Sequence, residues 1–500
     1  MAESKKYILL ARKGLFNEAL RKLEPGVVKP EFAGGREIRI IHSIVANGPK
    51  LVELDDLAAR EMNLHPDLRI LPVVEYSKPF PIKRLSGDPG SISSASYPIS
   101  VPRPKQQRGK VKGSAVTIRV KEKKKGKRVS VGSGLLVTAF SDVSARIGDE
   151  KPTDKYGKVV LRLYGDTIER LYFRQMWGWG ALLKNIPIQS SIDLKLEPVS
   201  VDFTDCVRHY YGESRFDPAT GVTVGVLDTG VGPHKDLNVV GGRNTVTGEP
   251  DDVHMDADFH GTFVAGLIGS IGKLYPRLRG LAPGVLIRSY RVFGGPASKA
   301  GNYDITDAIY KAQSDQCDIL NLSMEDGAYD DFLQEAITHA RDNGMLVVVA
   351  AGNDGRKAVN YPAAYRGATA VSAMGCEGTF PSSAMEETTV RRPPQGTKEP
   401  KEFIAAFSNV GDQIAVTALG VGVLSTLPDD QYGSCSGTSM AAPVISGAAA
   451  SLLSQNPDIY RMPRNRYRSN AIEQLLINNC ITRGFGPRFE GHGMPDPSKV

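Results

Sequence analysis

GVTVGVLDTGV, residues 221–231, sets four valines and a leucine in a short run with little alternation of apolar and polar positions. Such a run suits a strand buried on both faces. Asp228 then falls where the strand ends, and Gly230 frees the turn behind it. VLIRSYRVF (285–293), CDILNLS (317–323) and MLVVVAA (345–351) have the same texture. Between them lie helical periods: HGTFVAGLIGSIG from His260, DITDAIYKAQSDQ from Asp304 and DDFLQEAITHARDNG from Asp330. Strand and helix in turn predict an α/β domain over 200–500, with a parallel sheet and right-handed crossovers.

In an open parallel sheet, chemistry gathers at the carboxyl ends of the strands. Asp228 ends one strand, His260 opens a helix of small apolar residues, and Asn353 follows the strand MLVVVAA. GSCSGTSMAAPVISGAAASLL (433–453) puts Ser439 in the first turn of a long apolar helix, with Pro443 near its start. A serine hydroxyl needs a base to remove its proton, and a histidine such as His260 can serve near neutral pH. The imidazole needs a partner that fixes its tautomer, and Asp228 can supply it. An oxyanion needs preorganised donors, which the Asn353 amide and the backbone N–H at Ser439 offer. Taken singly, each residue also reads as a cap or turn former. Together, at one end of one sheet, they read as a nucleophile, base and orienter.

The blocks DTG, HGT, AAGN and GTSMAAP, in that order, resemble the signature blocks of the subtilisin-like serine peptidases, the subtilases. The order Asp, His, Ser is that of subtilisin. The resemblance spans roughly 200–496 and includes FIAAFSNVGDQIAV and GHGMPD. It implies a serine endopeptidase with Asp228, His260 and Ser439 as triad and Asn353 at the oxyanion, acting on protein or peptide substrates. Structural calcium is frequent in the family, but the spacings of the local His and Asp residues match no metal signature, so no metal and no cofactor are assigned. Departures are informative. Phe263 stands where a second histidine is common, and Ala418–Gly420 reads ALG in place of APG. In CDILNLSMEDG, Glu325 and Asp326 follow Ser323 where the family continues Ser-Leu-Gly-Gly along the substrate cleft. With Asp354 they suggest an acidic cleft with Ser323 on its wall, favouring Lys or Arg. Solvated rim carboxylates without selectivity are the alternative reading.

Upstream, KYILLAR, FNEALRKL, REIRIIHSIVA, PKLVELD, DDLAAREMNLH and LRILPVVEY order as strand, helix, strand, strand, helix, strand over 1–80. Such a ferredoxin-like α+β unit ahead of a subtilase resembles the propeptide, which implies an inhibitory domain whose last strand enters the cleft. Lys83 and Arg84 are then self-cleavage candidates, and the enzyme is expected to be a zymogen. Residues 81–112 read as a Pro/Ser/Gly linker, and 113–199 as a small antiparallel β-sandwich with a weak likeness to transthyretin-like modules. Thr379–Lys401, rich in Pro and charge, is expected to be an exposed insertion loop.

The chain has 500 residues, 41% hydrophobic and 23% charged, with net charge +7. This predicts several folded domains and excludes a disordered chain. Arg103–Arg128 holds twelve Lys or Arg against one Glu. It offers a footing for an acidic partner, or a solvated hairpin that protects a sheet edge. No apolar run is long enough to span a bilayer. Five scattered cysteines and the lack of an export-signal pattern suggest a cytoplasmic protein. The rival class is a catalytically silent scaffold of the same fold.

Overall fold

The structure is a computed structural model. It describes residues 4–12, 17–30, 37–77, 104–106, 113–124, 127–130, 135–174, 179, 181–196, 200–212, 219–256, 258–294, 299–325, 327–393, 396–496 and 498. Asp326, Lys83 and Arg84 lie outside the described residues, as does most of the 81–112 stretch.

The N-terminal unit comprises β1 (Lys5–Ala11), α1 (Glu18–Arg21), β2 (Gly26–Val28), β3 (Ile38–Ser43), β4 (Lys50–Leu54), α2 (Asp56–Met62), β5 (Leu68–Pro72) and β6 (Glu75–Ser77). Its sheet runs β2-β3-β4-β1-β5, every pair antiparallel. The pleat of β1 divides its side chains between two cores. Leu9 joins Leu20, Leu23 and Met62 under the two helices, while Ile8 and Leu10 face the C-terminal domain. Asp55 caps α2 by accepting from Ala58 N at 2.7 Å.

The second unit comprises β7 (Ser114–Lys124), β8 (Lys127–Ser130), β9 (Leu136–Asp142), β10 (Ile147–Pro152), β11 (Lys158–Leu163), β12 (Thr167–Arg174), β13 (Ala181–Pro187) and β14 (Ser191–Leu196). One sheet runs β10-β9-β12-β13 and the other β11-β7-β14, with β8 on β7. Val116, Ile118, Leu161, Leu171 and Phe173 share one buried core. The sheets are not wholly antiparallel, because β14 runs parallel to β7. Alternating side chains fix which face of a strand points inward but leave its direction open, so the sequence pattern was silent on this pairing.

The C-terminal domain begins with α3 (Cys206–Tyr211), β15 (Thr223–Asp228), β16 (Val239–Asn244), α4 (His260–Gly269), β17 (Leu286–Arg291) and β18 (Lys299–Gly301). It continues through α5 (Asn302–Ser314), β19 (Ile319–Leu322), α6 (Asp331–Asp342), β20 (Leu346–Ala350), β21 (Ala368–Cys376) and a 3₁₀ turn at Met385–Thr389. Then follow β22 (Glu402–Ile404), β23 (Ile414–Leu419), β24 (Val423–Leu427), β25 (Gln431–Cys435), α7 (Thr438–Ser454), α8 (Pro457–Tyr460) and α9 (Arg466–Asn478). The sheet runs β16-β17-β15-β19-β20-β21, all parallel, with β22 antiparallel and β23 parallel to β21. β19 and β20 are buried along their whole length and β15 from Val224 to Asp228, as strands covered on both faces must be. β15 lies between β17 and β19, where the winding of the sheet reverses.

The two leading units both pack on this domain. Ile8, Leu10, Ile44 and Leu51 bury against Tyr303 and Tyr310 of α5 and Phe332 of α6. Each fully buried aliphatic side chain there contributes roughly 1.5–3 kcal/mol relative to exposure. The expectation for Thr379–Lys401 is corrected. Arg391 and Arg392 are exposed, but Phe380, Ala384, Met385, Glu386 and Thr389 are buried. Met385 packs with Phe140, Tyr172 and Leu182 of the β-rich unit, and Leu182 N donates to Ser383 O at 2.6 Å. The apolar cover comes from another unit of the chain, which local composition does not register.

Candidate active site

β15 ends on Asp228, and the chain can turn there because Gly230 sits at φ +104°. A Cβ at Gly230 would meet Met255 O at 2.4 Å. Asp228 Oδ1 accepts from Thr229 N at 2.8 Å. Both Asp228 oxygens face His260 Nδ1, at 2.8 and 3.0 Å, and both side chains are fully buried. This holds the ring in the tautomer that carries its proton on Nδ1 and leaves Nε2 as the basic nitrogen.

The start of α4 is fixed by a residue whose role the sequence reading missed. Asp256 Oδ2 accepts from Thr262 N and Thr262 Oγ1, while its Oδ1 accepts from Thr229 Oγ1 at 2.9 Å and Asp258 N. Thr229 Oγ1 in turn accepts from Gly261 N at 3.0 Å. One carboxyl thus ties the turn after Asp228 to the helix that begins with His260. Burial pushes Asp256 up to about 6, against the pull of its hydrogen bonds. An Asp a few residues ahead of an apolar helix was the available signal.

Ser439 lies in the first turn of α7, which packs against α4. Ser439 O accepts from Ser323 Oγ at 3.0 Å, Ser323 Oγ accepts from Asn321 Nδ2, and Asn321 Oδ1 accepts from Ser446 Oγ. This chain locks the end of β19 to α7. Ser323 therefore meets the backbone of the serine itself. The Ser439 hydroxyl is buried and makes no hydrogen bond among the described residues.

Asn353 Oδ1 accepts from Thr438 N at 2.9 Å and Thr438 Oγ1 at 3.1 Å, so its amide orientation is set from both donors. Its Nδ2 donates to Glu325 Oε2 at 3.0 Å. Asp354 accepts on Oδ2 from Asn360 Nδ2 at 2.6 Å and Asn409 Nδ2 at 3.0 Å, which anchors the loop after β20. Asn409 is a second positioning group that the sequence reading did not single out. Cys435 is buried, and burial raises its thiol to about 12, far from a thiolate nucleophile.

Strand β6 runs through this site. Glu75–Ser77 pairs antiparallel with Lys299–Gly301, and Ser77 exchanges hydrogen bonds with Glu325, N to O at 2.8 Å and O from N at 2.9 Å. Val74 N donates to Asn302 Oδ1 at 3.1 Å and Val74 O accepts from Asn302 N at 2.7 Å. Tyr76 is fully buried beside Gly327, its hydroxyl 2.8 Å from Tyr365 Oη. Among the described residues no group of three or more His, Cys, Asp or Glu is arranged to hold a metal, and no helix is long and apolar enough to cross a membrane.

Residues 219–493 match the model of the Subtilase family. The chain is 33% identical over 267 residues to Subtilisin Savinase of Lederbergia lenta, covering 53% of this chain and 88% of that protein. It is 35% identical over 257 residues to Subtilisin DY of Bacillus licheniformis, covering 50% and 83%. Against the Thermostable alkaline protease of Halalkalibacterium halodurans it is 34% identical over 276 residues, covering 55% and 66%. The parallel sheet, the order of the blocks and these likenesses converge: the chain belongs to the subtilase family and is a serine-type endopeptidase.

Proposed function

We propose that Ser439 is the nucleophile, His260 its general base, Asp228 the orienter of the imidazole, and Asn353 with backbone N–H groups the oxyanion donor set. The observation that carries this reading is the buried pair of contacts from His260 Nδ1 to both oxygens of Asp228, at the carboxyl end of the sheet and on the helix packed against α7. Ser439 Oγ attacks the scissile carbonyl while His260 Nε2 takes its proton. The amine leaves with that proton, forming an acyl-enzyme. Water, deprotonated by His260, then releases the acid. Hydrogen bonds between nucleophile and base often lengthen in unloaded enzymes and tighten around substrate. A fluorophosphonate probe is expected to label the wild-type chain at Ser439 and to fail on Ser439→Ala. Labelling that persists in Ser439→Ala overturns the assignment.

The N-terminal unit, a ferredoxin-like fold in this reading, is a self-inhibitory domain, and the enzyme is made as a zymogen. Support comes from β6, which lies in the cleft as an added strand, the mode by which extended peptides bind sheet edges. Cleavage is placed in the stretch after Ser77, with Lys83 or Arg84 as sites. Intact-mass analysis of the full chain over time, beside Ser439→Ala, tests this: a wild-type chain that hydrolyses large proteins at full rate while remaining uncut overturns it. Glu325 and Asp354 support a preference for Lys or Arg, readable by peptide-library profiling. The five free cysteines support a reducing, cytoplasmic setting.

A further inference from the structure

The side chain that meets the oxyanion donor is itself an anion. Asn353 has no freedom to turn its amide, because Oδ1 is held by both the N–H and the hydroxyl of Thr438. Nδ2 is the end left to serve a substrate oxygen, and it donates to Glu325 Oε2 at 3.0 Å. Glu325 occupies a position where the resemblance expects glycine, which has no group to offer there. Its backbone is seated by the same reciprocal pair of hydrogen bonds that binds Ser77 of β6. The half-buried carboxylate is therefore carried to Asn353 by the strand that lies in the cleft.

We propose that Glu325 is a latch on the Asn353 amide. While the carboxylate accepts from Nδ2, the amide is engaged, and a negative charge stands beside the place where an oxyanion must develop. Turnover requires Glu325 to swing away, so part of the oxyanion stabilisation is withheld until it does. The N-terminal strand then acts in two ways at once: it fills the cleft and it seats the latch. This deepens the proposed peptidase mechanism and rests on it, with Glu325 as a positioning residue that acts through Asn353.

The test is a double-mutant cycle on the full chain, with turnover of a short chromogenic peptide normalised to the sites that a fluorophosphonate titrates. Glu325→Ala is expected to raise kcat about tenfold or more with KM little changed, a sizeable part of what one oxyanion donor supplies. In an Asn353→Ala background the same substitution is expected to change kcat by less than about twofold, because no amide remains to be released. Glu325→Gln, which keeps shape and acceptor but not charge, is expected to give an intermediate rise, and it carries the test if the alanine variant does not fold. An unchanged kcat in Glu325→Ala and Glu325→Gln, or an equal rise with and without Asn353, overturns the latch. Failure of every variant to label at Ser439 overturns the peptidase mechanism instead, and the latch with it.

Discussion

Two buried acids make the sharpest predictions about single side chains. Glu386 is fully buried, its Oε1 accepts from Ser436 Oγ at 3.2 Å, and burial raises it to about 7. A folded-state value above the unfolded one means that the native state holds the proton more tightly. The site therefore favours folding at low pH, loses that advantage as pH climbs from about 4.5 to about 7, and bears the full cost above it, on the order of 3 kcal/mol. Glu386→Gln is expected to melt several degrees above wild type at pH 8, with the gap closing at pH 5; calorimetry at both values reads it. Asp256 is different, because four donors depend on it. Asp256→Asn turns an N–H toward donors and is expected to cost about 1–3 kcal/mol for each one orphaned, and to depress kcat more than it raises KM. Denaturant melts and steady-state kinetics check both. Asp228, His260, Asn353 and Ser439 were legible because each stands in a distinctive local block. Asp256 and Asn409 were not, because their task is to hold other residues, and hydrogen bonds across 27 or 55 positions leave no local pattern.

Among the elements, β6 has an effect out of proportion to its three residues. Tyr76 slots beside Gly327, where an added Cβ would come within 1.9 Å of its ring. Gly327→Val is therefore expected to expel Tyr76 from its pocket, and Tyr76→Ala to leave the pocket unfilled. Both should loosen the strand and speed the onset of proteolysis in a freshly folded preparation, seen as a shorter lag in a continuous assay. An unaltered lag in both variants would show that the strand does not restrain the enzyme. The sequence indicated the strand–helix order of this unit but not its edge strand β2, nor the reduction of the first helix to Glu18–Arg21. Three-residue pairings and one-turn helices are stabilised by what they touch, and period alone does not find them.

The three units share buried surfaces, and those surfaces are where sequence reading failed most. Met385 looked exposed because its own neighbours are polar, yet Phe140, Tyr172 and Leu182 come from more than two hundred residues away to cover it. Leu182→Asp, which buries a charge in that contact, is expected to part the β-rich unit from the catalytic domain. Calorimetry should then show an early transition separate from the main one. A single unbroken transition at the wild-type temperature would mean that this contact does not couple the two.

The seat of the N-terminal sheet on α5 and α6 has a consequence under the proposed zymogen. Tyr303, Tyr310 and Phe332 share one buried cluster with Ile8, Leu10 and Leu51. If the N-terminal unit is removed, as the zymogen proposed above requires, the remaining peptidase is expected to present an apolar aromatic plateau to water, which invites self-association and the binding of fluorescent hydrophobic dyes.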